Sequence, residues 1–91
     1  MAVTVRIPLV LTRFTNGKSE VQVQAATVRD LVDVLEASYP GVKTRLCNDK
    51  GELRNLLNFF VNNKDIRFLN GPETPLNDGD HISIVPLIAG G

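Results

Sequence analysis

The chain has 91 residues, of which 43% are hydrophobic and 22% are charged. This length and composition are typical of one small folded domain and leave no room for a second. Ten basic and ten acidic side chains cancel to a formal net charge of zero, so no overall positive field attracts nucleic acid. No apolar stretch approaches the roughly 18 residues that span a bilayer. We therefore expect a cytoplasmic protein with no direct nucleic-acid or membrane partner.

Cys47 is the only cysteine and His81 the only histidine. These counts exclude an internal disulfide and a tetrahedral zinc site built from cysteine and histidine side chains. The two residues fall on different predicted elements, and nothing in their spacing brings them together as nucleophile and base. We therefore expect no metal site and no catalytic pair, and we interpret His81 as a solvated turn residue.

The N-terminal segment predicts two antiparallel strands. Apolar residues alternate with polar ones from Val3 to Ile7, and this period of two predicts a strand that extends toward Leu11. Asn16-Gly17 is a strong short-range hairpin signal, and a second alternating stretch follows it. The sequence therefore predicts a hairpin of strands one and two.

A helix is predicted after the hairpin. Thr27 is a suitable N-cap, and Asp30 lies three residues later, where its charge favours the helix N-terminus. The helix should end near Tyr39, because Pro40 disfavours helical geometry before it and Gly41 can terminate the helix. Apolar residues at helical spacing predict a stripe that covers one face of a sheet, formed by Val28, Leu31, Val32 and Leu35.

The second half of the chain predicts three further strands. Residues 42–57 have a mixed pattern with a basic bias, which is typical of a solvated loop. A strand over Asn58–Val61 is followed by a two-residue turn, Asn62-Asn63, because asparagine tolerates positive φ. The segment Ile66–Phe68 then predicts a short edge strand. The turn 77–80 leads into the last strand, Ile82–Pro86.

The order of strand, strand, helix, strand, short strand and strand predicts an α+β domain with one main helix across a mixed sheet. The β-grasp, or ubiquitin-like, arrangement is the natural one. It places the first and last strands side by side in the middle of the sheet. We predict a β-grasp domain over residues 1–86 and a flexible tail over residues 87–91.

The tail is the part of the sequence that points most directly to function. It consists of Leu87, Ile88, Ala89, Gly90 and Gly91. Glycine has no Cβ, so a diglycine end can pass through a narrow space that other residues cannot enter. The stem carries no charge except the Gly91 α-carboxylate, which is therefore its one reactive group. A frayed terminus without function is the alternative interpretation.

The element order, the turn Leu76-Asn77-Asp78-Gly79-Asp80 and the ending Ala89-Gly90-Gly91 together resemble the ubiquitin-like sulfur carriers. This family includes the thiamine-pathway sulfur carrier and the small subunit of molybdopterin synthase, and the resemblance covers essentially the whole chain. Within the family, the segment 58–68 and the tail are most similar to the carriers that serve cysteine biosynthesis.

The resemblance implies a specific chemistry for the Gly91 carboxylate. A ubiquitin-activating-type adenylyltransferase would use its own ATP and magnesium to adenylate Gly91, and a sulfur donor would then produce a thiocarboxylate. The thiocarboxylate would donate its sulfur to an accepting enzyme, for which a pyridoxal phosphate cysteine synthase is the main candidate. A metalloprotease or another hydrolase is a further candidate partner. The chain itself would be a protein cosubstrate that holds no cofactor and no metal.

Other interpretations use the same tail. The chain could be a molybdopterin synthase small subunit, a tRNA-thiolation carrier, or a protein modifier that is conjugated through Gly91 to lysines. A β-grasp interaction domain with an inert tail is a further class. An independent enzyme has the least support, because the sequence contains no set of nucleophile, base and electrophile.

Strand alternation also proposes a docking face. Alternation assigns to the face toward the helix the residues Val3, Val5, Ile7, Phe59, Val61, Ile82 and Ile84. Arg6, Phe60, Val85 and Leu87 then lie on the opposite face. An apolar group on the open face of a sheet, with a cation at its rim, is a candidate surface for a partner. The alternative is that Phe60 is an isolated surface aromatic or folds under a loop.

Overall fold

The computed structural model describes residues 1–54 and 57–86 of the chain. The strands are β1 (Ala2–Arg6), β2 (Glu20–Gln24), β3 (Leu57–Val61), β4 (Lys64–Asp65) and β5 (His81–Pro86). The α-helices are α1 (Val28–Ser38) and α2 (Val42–Leu46), and three short 3-10 helices cover Leu9–Phe14, Ile66–Phe68 and Gly71–Glu73. The predicted tail, residues 87–91, lies outside the described residues, so its separation from the body stays a prediction.

The five described strands form one mixed sheet in the order β2-β1-β5-β3-β4. The first and last strands, β1 and β5, are parallel neighbours, whereas the other pairs are antiparallel. The helix α1 covers one face of this sheet. This arrangement confirms the predicted β-grasp fold and the central position of the two most apolar strands.

The core lies between α1 and the covered face of the sheet. Phe59 on β3 is 1% exposed, and Leu31 and Leu35 on α1 are fully buried. The residues that alternation assigned to the covered face are all buried, and they are Val3, Val5, Ile7, Phe59, Val61, Ile82 and Ile84. Burial of these side chains is the main favourable term for folding.

The caps of α1 form as the sequence predicts. The Thr27 hydroxyl accepts a hydrogen bond from the Asp30 N–H at 3.1 Å, and the Asp30 carboxylate in turn accepts one from the Ala26 N–H at 3.1 Å. The helix ends at Ser38, where the Tyr39 N–H donates to the Leu35 carbonyl. The Thr27 hydroxyl therefore gives a partner to one of the amide groups that a helix N-terminus leaves unpaired.

The connection between β1 and β2 differs from the prediction. The first strand ends at Arg6 and does not extend toward Leu11, because Pro8 has no N–H for strand pairing and the chain turns into the 3-10 helix Leu9–Phe14. β1 and β2 are antiparallel as predicted, and Asn16 and Gly17 have positive φ of 57° and 80°. The connection is thus a 3-10 helix followed by a turn and is not a tight hairpin.

Two further predictions in the second half are wrong. The segment Ile66–Phe68 is a 3-10 helix and not a strand, because the Asp65 carboxylate accepts the Arg67 N–H at 2.8 Å and caps a helical turn. The edge strand β4 is the preceding pair of residues. The segment that begins after Gly41 was predicted as a loop, but its first part is the helix α2. The Asn62-Asn63 turn, by contrast, is confirmed, because both residues have positive φ, of 50° and 73°.

The turn before β5 is fixed by the carboxylate of Asp80, which is 9% exposed. It accepts hydrogen bonds from the Asn62 side-chain amide and from the Asn77 N–H, both at 2.8 Å. The Asn62 side-chain oxygen accepts from the His81 N–H at 2.9 Å. These bonds join the turn 77–80 to the β3–β4 turn, so they fix where β5 begins beside β3.

The helices α1 and α2 are joined by the carboxylate of Glu36. It accepts hydrogen bonds from the Lys43 N–H at 2.9 Å and from the Gly41 N–H at 3.1 Å. The bonds from Lys43 and then Gly41 lower the pKa of Glu36 below its ordinary value of 4.5. Gly41 has a φ of 103°, a left-handed conformation that glycine adopts without steric cost.

We expect Glu36→Gln to lower the stability of the protein at neutral pH. The folded-state pKa of Glu36 is depressed, so the contribution of its carboxylate is present above the unfolded-state pKa and is lost as the pH falls through the folded-state value. The measurement is the urea midpoint of both proteins from about pH 7 down to about pH 3. The two midpoints should converge toward the acid end of this range.

Glu20→Gln is a matched control for this experiment, because the Glu20 side chain contacts Arg6 and accepts no backbone N–H from the residues that the structure describes. Its urea midpoint should stay close to that of the unmodified protein across the range. A Glu36→Gln protein with an unchanged midpoint at neutral pH would contradict the role of Glu36 between the two helices.

Candidate docking face and the root of the tail

The predicted tail follows β5, an inner strand of the sheet. β5 lies between β1 and β3, and its pairing with β1 ends at Ser83, whereas its pairing with β3 continues to its last residue, Pro86, opposite Leu57. Pairing with β3 therefore holds the point that precedes residue 87. The predicted channel residues Leu87, Ile88, Ala89 and Gly90 and the reactive Gly91 lie outside the described residues.

The open face of the sheet brings two predicted docking residues into one row. Arg6 of β1 pairs with Ser83 of β5, and Ser83 pairs with Phe60 of β3. Directly paired residues project their side chains to the same face, so Arg6 and Phe60 flank the small Ser83 side chain at about 10 Å across two strand spacings.

Val85 extends this row along β5. It lies two residues after Ser83, hence on the same face, and it is 42% exposed. Its partner on β3 is Asn58, two residues before Phe60. We call Arg6, Phe60, Ser83 and Val85 the open-face patch. The fourth residue predicted for this face, Leu87, is outside the described part of the chain.

Phe60 is half-buried on the β3 side of this patch. Its neighbours in the sheet are Ser83 and the edge residue Asp65. Ser83 is small and Val85 is apolar, so a partner can contact these two residues together with the Phe60 ring. Phe60 thus lies beside the other residues of the open-face patch, and its docking role stays a prediction.

Charged pairs lie at both ends of the row. At one end the Arg6 guanidinium is 3.5 Å from the Glu20 carboxylate, and the Arg6 side chain is 69% exposed. At the other end the Arg67 guanidinium is 2.7 Å from the Asp65 carboxylate and lowers the pKa of Asp65, with a further contribution from the Arg67 N–H. An exposed pair such as Arg6 and Glu20 contributes little to folding. Arg6 can therefore turn to an acidic partner at low cost.

Cys47 and His81 lie on different elements, Cys47 directly after α2 and His81 at the start of β5. Cys47 is 4% exposed beyond the end of α2, and burial raises the pKa of its thiol, which opposes the thiolate that a nucleophile requires. His81 is exposed at the start of β5. Within residues 1–54 and 57–86, no group of three or more histidine, cysteine or acidic side chains could hold a metal ion. No helix in these ranges is long and apolar enough to cross a membrane.

A second exposed surface, on the 3-10 helix Leu9–Phe14, is not among the predictions from the sequence. Leu9 is 86% exposed and Val10 is 59% exposed, and the guanidinium groups of Arg13 and Arg45 lie near the Phe14 ring. Pro8 is the residue that could have indicated this surface. A proline interrupts strand pairing, so it leaves Leu9 and Val10 outside the sheet. No sequence signal brings Arg45 beside Phe14, since the two are far apart along the chain.

The chain is similar to known proteins of one family over nearly its whole length. The sequence pattern of the ThiS family matches residues 5–91. The sulfur carrier protein CysO of Mycobacterium tuberculosis is 39% identical over 93 residues, which cover all of both chains.

Solved structures agree with the sequence match. A chain of the crystal structure of the Amycolatopsis orientalis BexX/CysO complex superposes with a TM-score of 0.91 and 39% identity, covering 98% of this chain and 99% of that one. The small archaeal modifier protein 1 of Methanosarcina acetivorans superposes with a TM-score of 0.84 and 31% identity, covering 99% and 96%.

Proposed function

The chain belongs to the ThiS family, and from this premise we propose that it is a sulfur carrier that serves cysteine biosynthesis. The observation that carries the proposal is its full-length similarity to the sulfur carrier protein CysO, at 39% identity with no part of either chain left over. The match of the family pattern continues to residue 91 and so includes the diglycine end. The protein is a cosubstrate and not a catalyst.

The reacting group is the Gly91 carboxylate, which needs activation before sulfur can enter. Resonance and negative charge make a carboxylate a poor electrophile. Adenylation by a ubiquitin-activating-type enzyme converts it into a mixed anhydride with a good leaving group, and the ATP and magnesium for this step belong to that enzyme. A sulfur donor then attacks the acyl carbon, expels AMP and leaves a thiocarboxylate on Gly91.

The thiocarboxylate delivers the sulfur to its acceptor. Its sulfur is softer and more nucleophilic than the carboxylate oxygen that it replaces, so it can attack an activated serine-derived carbon on a pyridoxal phosphate enzyme. An acyl shift and hydrolysis by a metalloprotease or another hydrolase would release cysteine and restore Gly91. We place these reactions in the cytoplasm, where ATP is available.

The body of the protein presents the tail to these enzymes. Five residues beyond Pro86 span at most about 17 Å when extended, enough to carry the Gly91 carboxylate through the wall of a partner's active site. The folded body stays outside, and the open-face patch beside β5 would hold it there. The complex of BexX with CysO is a precedent for a relative that assembles with a partner protein.

Protein modification is the second candidate function, in which Gly91 forms an isopeptide bond with a target lysine. The similarity to the small archaeal modifier protein 1 of Methanosarcina acetivorans favours it. Activation would be the same, and only the nucleophile that attacks the activated carbonyl would differ. Roles as a molybdopterin synthase small subunit or a tRNA-thiolation carrier would also start from the same thiocarboxylate.

The test is the intact mass of the protein after incubation with the adenylating enzyme of the same organism, ATP, magnesium and a sulfide source. We expect the mass gain that results when one sulfur replaces one oxygen, and we expect it only when ATP is present. Fragmentation should place the gain on the C-terminal peptide. The Gly91-deleted protein is the control and should keep its mass.

Two results would contradict the carrier function. One is an unchanged mass under conditions in which the same enzyme adenylates the chain. The other is the appearance in cells of higher-mass conjugates, with the tail joined to lysines and no free thiocarboxylate protein. The second result would identify the chain as a modifier.

A further inference from the structure

The surface on the first 3-10 helix contains two cations around one aromatic ring. The guanidinium carbon of Arg13 lies 5.4 Å from the centroid of the Phe14 ring, and that of Arg45, on α2, lies 5.2 Å from it. Both distances are within the range of a cation–π interaction. We call Arg13, Phe14 and Arg45 the arginine clamp.

The two charges of the clamp carry no counter-ion among the described residues. The ion pairs in the described ranges involve Arg6, Arg29, Lys43 and Arg67, and neither arginine of the clamp takes part. Both side chains are exposed. Two exposed guanidinium groups without a counter-ion favour binding of the carboxylates of a partner.

Apolar surface adjoins the clamp. Leu9 and Val10 are large apolar residues on the same 3-10 helix as Arg13, and they are 86% and 59% exposed. Residues three apart in a 3-10 helix lie on one face, so Val10 lies directly beside Arg13. The surface thus combines positive charge with exposed apolar area, as partner-binding surfaces commonly do.

This surface lies at the end of the sheet from which the tail departs. β1 and β5 are parallel, so both strands finish at the same end of the sheet. The 3-10 helix begins at Leu9, three residues after β1 ends. Leu9 and Val10 therefore lie toward the end of the body at which β5 finishes, which an enzyme that receives the tail must approach.

We propose that the arginine clamp, with Leu9 and Val10 beside it, is a second docking surface that takes an acidic segment of the adenylating enzyme, with its carboxylates on Arg13 and Arg45 and an apolar neighbour on Leu9. The inference rests on the proposed sulfur-carrier function and names a recognition surface for its first step. It is separate from the open-face patch, which lies on the strands and contains only one arginine, Arg6.

The test compares the double variant R13Q/R45Q with the unmodified protein in ATP-dependent loading by the adenylating enzyme. We expect KM for the carrier to rise about tenfold, with kcat unchanged at saturation, because exposed charges act on encounter and complex stability and not on the acyl chemistry. The dependence of KM on salt concentration should become weaker, since two charges of the attraction are gone. The variant R13K/R45K should recover part of the affinity, because it keeps the charge but loses the planar guanidinium groups.

The matched control is K50Q/K64Q, which removes two exposed positive charges elsewhere on the molecule and so changes the net charge equally. It should load with the KM of the unmodified protein. Leu9→Ser removes apolar area without charge and should raise KM while leaving the salt dependence unchanged. Together, these two outcomes distinguish an effect of the clamp and its apolar neighbours from an effect of the protein's net charge.

An R13Q/R45Q protein whose KM and salt dependence equal those of the unmodified protein would overturn the proposal, as would an unchanged KM for Leu9→Ser. A lower KM would also overturn it, because it would indicate that the clamp holds the chain's own terminal carboxylate. These results leave the carrier function intact, since the unmodified protein is loaded in each case. Failure of the unmodified protein itself to load would instead contradict the carrier function, and this proposal with it.

Discussion

Substitution or deletion in the diglycine end should abolish sulfur loading while the body stays folded. Gly90→Val adds a branched side chain where the tail is expected to pass through the narrowest part of the enzyme, and glycine alone among the residues has no Cβ. We expect the loading rate to fall by at least about a hundredfold, the scale on which misplaced reacting groups lose rate. The measurement is thiocarboxylate formation by intact mass over time.

Deletion of Gly91 tests whether the position of the terminal carboxylate matters when its chemical identity is unchanged. The shortened chain still ends in a glycine carboxylate, at Gly90, but the acid is withdrawn by up to about 3.6 Å. We expect loading to fail here too, although the chemical group is the same. Addition of one alanine after Gly91 should fail for the opposite reason, since it moves the carboxylate beyond the site of adenylation.

The stability of the folded domain is the first control for the tail variants. The buried residues of the core cluster all lie between Val3 and Ile84, so the urea midpoint of each tail variant should equal that of the unmodified protein. Gly90→Ala should load at a rate between those of the unmodified protein and Gly90→Val, because its added side chain is smaller. Normal loading of Gly90→Val or of the Gly91-deleted chain would refute the role of the tail as the reactive segment.

Removal of the Phe60 side chain should weaken binding to the adenylating enzyme. Phe60 lies in the same row as Arg6 and Ser83, beside the strand from which the tail departs. Aromatic residues at the centre of an interface commonly contribute about 2 kcal/mol or more, so we expect Phe60→Ala to raise KM for the carrier about 30-fold. Phe60→Asp should have a larger effect, because it also introduces a charge into the patch.

Phe68→Ala is the matched control for Phe60. It removes the same side chain from a position that is 85% exposed, on the 3-10 helix that follows the edge strand and outside the three central strands. We expect it to load with an unchanged KM. Circular dichroism and urea unfolding would check the fold of both variants. If Phe60→Asp were bound and activated like the unmodified protein, the open-face patch would not be the docking surface.

The two sets of variants should differ in the kinetic step that they affect. Tail variants keep the open-face patch and should still bind the enzyme, so they should compete with the unmodified protein for loading. Phe60 variants keep the tail and should reach a normal kcat when the carrier is saturating. This contrast tests whether binding of the body and reaction of the tail are separate functions of one small domain.

Local patterns were sufficient to predict most of the sheet and its main helix. The period-two alternation around Val5 and Ile82 identified the covered face, because strand geometry alone decides which side chains share a face. Thr27 and Asp30 identified the start of α1, because an N-cap depends on residues adjacent in sequence. The diglycine end and its uncharged stem were visible directly in the sequence.

The wrong predictions arose where local preference competed with a neighbouring residue. Val10 and Leu11 have strand-forming or apolar character, but Pro8 removes a backbone donor and the chain turns into a 3-10 helix. Ile66 and Phe68 are typical strand residues, yet the Asp65 carboxylate caps a helical turn instead. In both places a single polar or proline contact outweighed the intrinsic β propensity, which depends strongly on context.

The sequence by itself determined the fold class, the central pair of strands, the main helix and the identity of the candidate reactive end, since all of these follow from periodicity, capping and composition. Only the tertiary structure decided that Arg6, Ser83 and Phe60 form one row, and that Arg13 and Arg45 meet at Phe14. The physical reason is that strand register and helix packing join residues far apart in the chain. Register depends on long-range contacts, such as those of Asp80 with Asn62, which no local pattern records.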